Sequence, residues 1–324
     1  MKILEVKNLS LGFECDKKFY QALWDVSFSL ECGKMLALVG ESGCGKSISA
    51  MSILNLLPKN AEVIGGEIIF DGKNLLKLSQ KEMQNIRGKR IALIPQDPMT
   101  ALNPLFTVGD QLLEVIKIHC GLTGKEAEKK AIEAFDAVKI PCAKSRLKSY
   151  PHEFSGGMKQ RAIIAMALVC DAEILIADEP TTALDVTIQA RIMNLIEDIK
   201  RERNTSILLI THDLALVSEY ADDVNVMYSG RIAETAPVDE FFQNTQHPYS
   251  KALINSLPSN RLKTLETISG QPPTIREEIL GCRFHPRCKF KMDVCSTTVP
   301  ELLETSPAHM CACFLTEKSD QTQS

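Results

Sequence analysis

The stretch MLALVGESGCGKSISAMSILNLL, residues 35–57, decides the fold of this chain. It begins with an apolar run typical of a buried parallel strand, continues through a glycine-rich turn and ends in a segment of helical character. Gly40–Ser47, in its middle, fits the pattern G-x-x-x-x-G-K-[ST]. A strand, a glycine loop and a helix in this order indicate an α/β layer fold with a phosphate-binding loop.

The loop supplies the groups that bind a nucleoside triphosphate. Glycines let the backbone curl so that its N–H groups and the helix start face the β-phosphate. We expect Lys46 to bridge the β- and γ-phosphates and the Ser47 hydroxyl to hold Mg²⁺. A glycine-rich turn that binds nothing is the alternative, which the strand–loop–helix context disfavours. The predicted nucleotide contacts of the loop are Gly40, Ser42, Gly43, Cys44, Gly45, Lys46 and Ser47.

The run EILIADEP, residues 173–180, is a second candidate element. Its apolar part predicts a buried strand, and the carboxyl end of such a strand faces the nucleotide crevice. We therefore predict that Asp178 meets Mg²⁺ through water and that Glu179 polarises the attacking water. Two acids at a solvated strand end are the plainer alternative, but a chain that already carries a phosphate loop favours the functional interpretation.

Three weaker signals accompany these two elements. The segment 155–157, Ser-Gly-Gly, precedes the helical run KQRAIIAMAL and offers another backbone N–H anion site, although Ser155 also fits an ordinary helix N-cap. Gln96 and His212 each follow a predicted strand. Taken singly, neither residue indicates a function, so their meaning depends on their order along the chain.

The predicted elements fall into three regions. Strands are predicted at 35–39, 173–177, 206–210 and 224–228, and a helical block interrupts them. Beyond Gly230 the chain becomes irregular and rich in proline. We therefore predict a nucleotide-binding domain over residues 1–235, with a helical subdomain of about 100–166 inserted, and a small irregular C-terminal lobe over 236–324.

Composition and charge exclude some partners. The 37 Lys and Arg residues against 41 Asp and Glu give a net charge of −4, which provides no overall attraction to nucleic acid. No apolar run approaches the ~18 residues of a membrane span, and the first residues lack the apolar stretch of a signal peptide. We expect a cytosolic protein that binds no nucleic acid.

Cysteines crowd the last part of the chain. Soft thiolates in a reducing compartment select Zn²⁺ or an iron–sulfur cluster, and spacings wider than C-x₂-C favour a cluster held by four cysteines. Cys311 could replace Cys313 as the last ligand, and reduced structural thiols are the alternative to any metal site. The predicted ligands are Cys282, Cys288, Cys295 and Cys313.

The order of these motifs resembles that of ATP-binding-cassette (ABC) ATPases, over essentially the whole chain. The stretches QDPMTALNP, YPHEFSGGMKQR, ADEPTTALDVTIQA and HPYSKAL are similar to those of the ATP-hydrolysing subunits of bacterial oligopeptide and dipeptide import systems. FSGGM in place of LSGGQ is also the form found in those subunits. The resemblance implies a P-loop NTPase core with a parallel sheet and an inserted α-helical subdomain.

The resemblance also implies roles for individual residues. Two nucleotide domains face each other head to tail, and Ser155, Gly156 and Gly157 of one contact the γ-phosphate held by the other. Gln96 senses the γ-phosphate and Mg²⁺, and Asp185 helps to hold the two subunits in register. The implied catalytic residues are Glu179 as general base, His212 as a γ-phosphate contact, and Gln96. Adenine stacking is expected of Phe13, with Tyr20 as the second choice.

Cofactors and partners follow from the same resemblance. It implies ATP, Mg²⁺ and a [4Fe–4S] cluster, two transmembrane permease subunits, a second ABC ATPase subunit and an extracytoplasmic solute-binding protein. The chain would lie peripherally on the cytoplasmic face of the bacterial inner membrane. Peptide import is the expected function and nickel or another small solute the alternative. Rival classes are a soluble cassette acting on ribosomes or DNA and a module that binds ATP without turnover.

Overall fold

The structure is a computed structural model that describes residues 1–182, 184–257 and 268–317. Contacts between Cα atoms divide the chain into two compact units. Unit one comprises Met1–Glu31, Met35–Leu76 and Thr211–Ser324, and unit two comprises Cys32–Lys34 and Lys77–Ile210. The phosphate loop therefore belongs to unit one and the helical block to unit two.

The strands follow the chain in this order within the described residues: β1 Lys2–Cys15, β2 Lys18–Glu31, β3 Met35–Val39, β4 Ala61–Phe70, β5 Lys73–Asn74, β6 Ile91–Ile94, β7 Ile174–Asp178, β8 Ser206–Thr211, β9 Asp223–Tyr228, β10 Arg231–Pro237, β11 Leu303–Ser306 and β12 His309–Cys311.

The α-helices of the same residues are α1 Lys46–Ile53, α2 Gln80–Gln84, α3 Pro98–Ala101, α4 Val108–Val115, α5 Gly124–Ala137, α6 Ala143–Arg146, α7 Gly156–Leu168, α8 Val186–Arg203, α9 Leu214–Tyr220, α10 Val238–Asn244, α11 Pro248–Asn255 and α12 Phe314–Glu317. Short 3₁₀ turns occur at Leu75–Lys77, Pro151–Glu153, His285–Arg287 and Asp293–Ser296, and a π-helical turn at Ile116–Cys120. No helix among them is long and apolar enough to cross a membrane.

Unit one contains an antiparallel sheet in the order β2-β1-β4-β5 and the neighbouring strands β11-β12-β10-β9-β3. β3 runs parallel to β9, whereas β10, β12 and β11 are antiparallel additions. All five residues of β3 are buried, as expected of a strand covered on both faces. Side chains of β3, α9, β9, β10, α10 and α11 share one apolar core.

The two strands at the start of the chain are longer than their apolar runs indicate. The runs ILEV and VSFSL are parts of the 14-residue strands β1 and β2, which pair as a long antiparallel hairpin. Register shifts along this pair interrupt the regular alternation of apolar residues. A pattern search for period two therefore finds only fragments of these strands.

Unit two contains the parallel strands β8-β7-β6. Every residue of β7 and β8 is buried, which explains their uninterrupted apolar sequences. The predicted helical block forms α3 to α7, and α5 packs against α7. Thr107 and Asp110 form a capping box that starts α4. The predicted α/β class with a parallel sheet and inserted helices is confirmed, and the described residues after β10 form short elements joined by irregular chain.

Candidate nucleotide site

The phosphate loop joins β3 to α1 in unit one. Gly43 and Gly45 have φ values of +79° and +109°, a region that favours glycine. A Cβ atom on Gly45 would lie 2.5 Å from Leu23 Cδ2, and one on Gly40 would lie 2.2 Å from the carbonyl oxygen of Met227. The glycines are thus required by backbone conformation and by close packing, and α1 begins at Lys46 directly after them.

Lys46 is buried and curls back over its own loop. Its Nζ donates to the carbonyl oxygens of Gly40 at 2.8 Å and Glu41 at 3.0 Å. The loop is anchored from the other side, because the Gly230 N–H donates to the Cys44 carbonyl at 2.8 Å. Burial raises the pKa of the Cys44 thiol, so this thiol stays protonated at neutral pH. The two hydrogen bonds of Lys46 hold its amino group at the loop where phosphates are predicted to bind.

Two side chains of unit two donate hydrogen bonds to the carboxylate of Glu179. Gln96 Nε2 donates to Glu179 Oε2 at 3.1 Å, and Thr182 Oγ1 donates to the same oxygen at 2.9 Å. Glu179 has a φ of +47°, and its N–H donates to the Ile210 carbonyl at 2.8 Å. Asp178, the last residue of β7, is buried. The carboxylate of Glu179 is thus held by two donors in a constrained backbone position.

The signature segment and Asp185 lie beside each other in unit two. Ser155 caps α7, with its Oγ accepting from the Met158 N–H at 3.3 Å, and Asp185 caps α8, with Oδ1 accepting from Ile188 N–H at 3.0 Å. A Cβ on Gly157 would lie 2.8 Å from Ile188 Cγ2. Ser155 and Asp185, both predicted to bind at the nucleotide site, therefore each cap a helix. For Ser155 an ordinary helix N-cap is the alternative stated above.

The remaining nucleotide candidates belong to unit one. His212 is exposed and directly follows β8. Phe13 and Tyr20 face each other across the β1–β2 ladder, and residues directly opposite in a ladder lie on the same face of a sheet. The Arg276 guanidinium lies 5.7 Å from the centre of the Tyr20 ring. The two alternatives for adenine stacking are thus neighbours on one surface, and both remain predictions.

The four predicted thiol ligands line one small apolar cavity of about 10 Å³ in unit one, with Phe284 and Phe314 among its walls: Cys282, Cys288, Cys295 and Cys313. Cys311 does not line this cavity. Burial raises the pKa of Cys282 and Cys288 and raises that of Cys313 to about 11, so these thiols are protonated at neutral pH.

The structure nevertheless gives no support to a preformed metal centre. Among the residues it describes, no group of three or more His, Cys, Asp and Glu side chains is placed to hold a metal ion. The predicted [4Fe–4S] cluster therefore has no support from the described residues and stays a prediction. The void that the four cysteines line, about 10 Å³, is no larger than the space that one water molecule needs.

The fold and the loop define a P-loop ATPase of the ATP-binding-cassette class, an enzyme that hydrolyses ATP. The family model for ABC transporters matches residues 23–182, and the model for the C-terminal region of oligopeptide/dipeptide transporters matches residues 233–295. The chain belongs to the ABC transporter family and carries the C-terminal region of its oligopeptide/dipeptide branch.

Curated relatives match nearly the full chain. A probable peptide ABC transporter ATP-binding protein, y4tR of Sinorhizobium fredii, is 50% identical over 96% of this chain and 94% of its own length. The dipeptide transport ATP-binding protein DppD of Bacillus subtilis is 48% identical over 98% and 96%. The oligopeptide transport ATP-binding protein OppD of Escherichia coli is 46% identical over 96% and 93%.

Solved structures share the cassette fold. The dimeric post-hydrolysis structure of the ATP-binding cassette MJ0796 with ADP and Pi has a TM-score of 0.65 at 25% identity, covering 72% of this chain and 98% of that one. CbiO1 from Clostridium perfringens, part of the ABC transporter complex cbiONQ, has a TM-score of 0.63 at 28% identity, covering 75% and 91%.

Sequence reasoning missed some residues that touch the candidate site. Thr182 binds the Glu179 carboxylate, and a hydroxyl residue three positions after that acid was the signal that could have indicated it. Tyr249 and Arg287 both bind Glu41 of the phosphate loop. Nothing in the sequence predicts these contacts, because Tyr249 and Arg287 lie 208 and 246 residues after Glu41.

Proposed function

We propose that this chain is the ATP-hydrolysing subunit of a membrane importer of di- or oligopeptides. The observation that carries the proposal is the pairing, in one chain, of a complete phosphate loop with the peptide-transporter C-terminal region. Relatives named for peptide transport at 46–50% identity over nearly the whole chain support it. These relatives favour peptides over the nickel alternative, and their transport names disfavour a ribosome- or DNA-directed cassette.

The reaction in this proposal takes place between two cassettes. The loop residues and Lys46 bind the triphosphate of one cassette, and Ser155, Gly156 and Gly157 of the facing cassette complete the site. ATP then acts as a bridge whose hydrolysis releases the pair, a ligand-driven shift of population. Because each site needs groups from two chains, an isolated cassette is expected to hydrolyse ATP poorly.

Within the site, Glu179 is proposed as the general base. Its carboxylate is held by Gln96 and Thr182, which orient it for one water molecule. His212 is proposed to donate to the γ-phosphate and Asp185 to keep the cassettes in register. Phe13, or its ladder neighbour Tyr20, is proposed to stack on the adenine.

Mg²⁺ is the ion that this chemistry needs. Its proposed ligands are the Ser47 hydroxyl, Gln96 and, through water, Asp178. A bound Mg²⁺ neutralises the charge that develops between the β- and γ-phosphates. A hydroxyl, an amide oxygen and a carboxylate are the hard oxygen donors that Mg²⁺ prefers, so these residue types fit the ion.

The partners proposed for this subunit follow its family. Two transmembrane permease subunits provide the path for the solute, a second ABC ATPase subunit or a second copy of this chain completes the ATP sites, and an extracytoplasmic binding protein delivers the peptide. The chain then lies peripherally on the cytoplasmic face of the bacterial inner membrane.

Lys46→Ala tests the proposal in the assembled transporter. The complex of this chain with its permeases and partner cassette is reconstituted in vesicles, and ATP hydrolysis is measured with and without peptide and binding protein. Peptide should stimulate the wild-type complex, and Lys46→Ala should abolish turnover because the phosphate charge loses its partner. Lys59→Ala, on an exposed residue, is the matched control. Stimulation by nickel rather than by peptides, or turnover unaffected by Lys46→Ala, would contradict the proposal.

A metal cluster in the C-terminal lobe is a finer part of the proposal. Four thiols around one void are the donor set of a [4Fe–4S] cluster, and each thiol would lose its proton on binding iron. Bound there, the cluster would cross-link a lobe built of short elements. Cys313 lines the void and Cys311 does not, which favours Cys313 as the fourth ligand.

Anaerobic purification tests the cluster directly. Iron, acid-labile sulfide and visible charge-transfer absorption are measured on the wild-type chain, on Cys313→Ser and on Cys311→Ser. About four irons and four sulfides per chain are expected for the wild type and for Cys311→Ser, with loss in Cys313→Ser. Stoichiometric zinc, or no metal at all, would refute the cluster.

A further inference from the structure

The phosphate loop is tied to the C-terminal lobe by an ion pair. Arg287 Nη1 lies 2.6 Å from Glu41 Oε2, and Arg287 Nη2 lies 3.0 Å from Glu41 Oε1. This two-pronged geometry is the strongest that a guanidinium and a carboxylate can adopt. The Arg287 side chain is 6% exposed and the Glu41 side chain 25%, so solvent screens the pair only weakly.

Arg287 is fixed from several directions. Its Nε donates to the Ser269 carbonyl and its Nη2 to the Gly270 carbonyl, each at 3.1 Å. Nη1 also donates to the Tyr228 hydroxyl at 3.3 Å, and the guanidinium lies 5.8 Å from the centre of that ring. A guanidinium stays protonated at any pH at which proteins are folded, so the charge of Arg287 is permanent. The arginine thus presents a rigid, charged fork to the loop.

A second contact holds the backbone of the same loop residue. The Glu41 N–H donates to the Tyr249 hydroxyl at 2.9 Å. Tyr249 is fully buried in α11 and packs on the rings of Tyr228 and Phe284, with centroid distances of 4.6 and 5.4 Å. The lobe therefore binds Glu41 through both its side chain and its main chain.

Glu41 transmits this restraint to the phosphate-binding groups. Its carbonyl oxygen accepts from Lys46 Nζ at 3.0 Å and from the Cys44 N–H at 3.3 Å. The following glycines at positions 43 and 45 have positive φ values, a region that glycine enters freely. Without the contacts at Glu41 the loop would keep its anchor at the Cys44 carbonyl but lose the one at its start, so the nucleotide would have to order more of the loop, which costs binding free energy.

We propose that Arg287 and Tyr249 are positioning residues that hold the phosphate loop in its nucleotide-binding conformation. Neither is a catalytic residue, because each acts through Glu41. Arg287 also offsets the negative charge of Glu41, which would otherwise repel a triphosphate bound to the same loop. This inference rests on the proposed ATPase function, and it makes the C-terminal lobe a determinant of affinity for ATP.

The test is steady-state ATP hydrolysis by the full complex. Arg287→Gln should raise KM for ATP about tenfold or more, the usual effect of leaving a buried charged partner unpaired. Tyr249→Phe, which keeps the buried ring, should raise KM about threefold. In both variants kcat should change less than twofold, because Glu179 and its partners are untouched. Lys2→Gln is the matched control, since Lys2 pairs with Glu5 in an exposed bridge of the same unit.

A double-mutant cycle separates positioning from general support of the lobe. Glu41→Gln should raise KM by itself, and Arg287→Gln should add little in that background, because its partner is already gone. An undiminished effect of Arg287→Gln in the Glu41→Gln background would overturn the inference. So would a KM within twofold of wild type for Tyr249→Phe, or a fall in kcat with KM unchanged. Absence of hydrolysis by the wild-type complex would instead refute the proposed function.

Discussion

At the scale of single residues, the constrained position of Glu179 is the most informative feature. A positive φ at a residue other than glycine is uncommon and is retained where the surroundings impose it. Here the bond from its N–H to the Ile210 carbonyl fixes the backbone, and Gln96 and Thr182 fix the carboxylate. This arrangement suits a base that must be aimed at one water molecule.

Replacement of Glu179 by Gln separates binding from chemistry. The amide keeps the size and the hydrogen-bonding capacity of the side chain but cannot accept a proton, so kcat should fall by about 10²- to 10⁴-fold while ATP still binds. Single-turnover hydrolysis and equilibrium ATP binding are the two measurements. Glu202→Gln, on the exposed part of α8, is the control. Lost ATP binding with Glu179→Gln would show that the base had been assigned wrongly.

Thr182 should matter to the reaction rate through Glu179. Thr182→Val preserves the shape of the side chain and removes the hydroxyl bond to Glu179 Oε2, so we expect kcat to fall about tenfold with little change in KM. Thr182→Ser, which restores the donor, should recover most of the rate. Equal rates for the Val and Ser variants would show that this hydrogen bond does not orient the base.

Sequence alone was sufficient for the loop residues but not for their supports. Gly43, Gly45 and Lys46 are recognisable because their roles depend on local backbone conformation and on a fixed spacing. Arg287 and Tyr249 depend on contacts between distant parts of the chain, which no local pattern encodes. The conformation of the loop could therefore be predicted from the sequence, whereas the distant residues that contact it could not, and the ligand-binding roles of the loop residues stay predictions.

At the scale of elements, two helix starts combine capping with a predicted binding role. Ser155 starts α7 and Asp185 starts α8, each through a side-chain oxygen that accepts a backbone N–H. The buried strands β3, β7 and β8 could be predicted because their apolar runs are too short for a typical helix and are bounded by turn residues. The bulged hairpin of β1 and β2 was not, because register shifts hide its periodicity.

Two substitutions of Asp185 distinguish its roles. Asp185→Ala removes the cap of α8 and should lower the free energy of unfolding by about 1 kcal/mol, whereas Asp185→Asn keeps a good cap and should leave stability unchanged. Urea unfolding measures both. If Asp185 also holds two cassettes in register, both variants should hydrolyse ATP more slowly. Normal turnover by a stable Asp185→Asn variant would limit the residue to capping.

At the scale of the whole molecule, the fold class and its order of elements could be predicted because the motifs occur in a fixed sequence along the chain. The cysteine cluster stays a proposal, because thiol spacing specifies the donors of a metal site but not the space between them. The domain boundary at 235/236 likewise remains a prediction.

The central claim is that ATP joins two cassettes, and the mass of the assembly tests it most directly. Light scattering is measured on the Glu179→Gln variant with its partner cassette, with and without Mg²⁺ and ATP, and Lys46→Ala serves as the control. The account predicts that ATP doubles the molar mass for Glu179→Gln and leaves it unchanged for Lys46→Ala. A mass that stays at one cassette with saturating ATP, over all concentrations tested, would contradict the account.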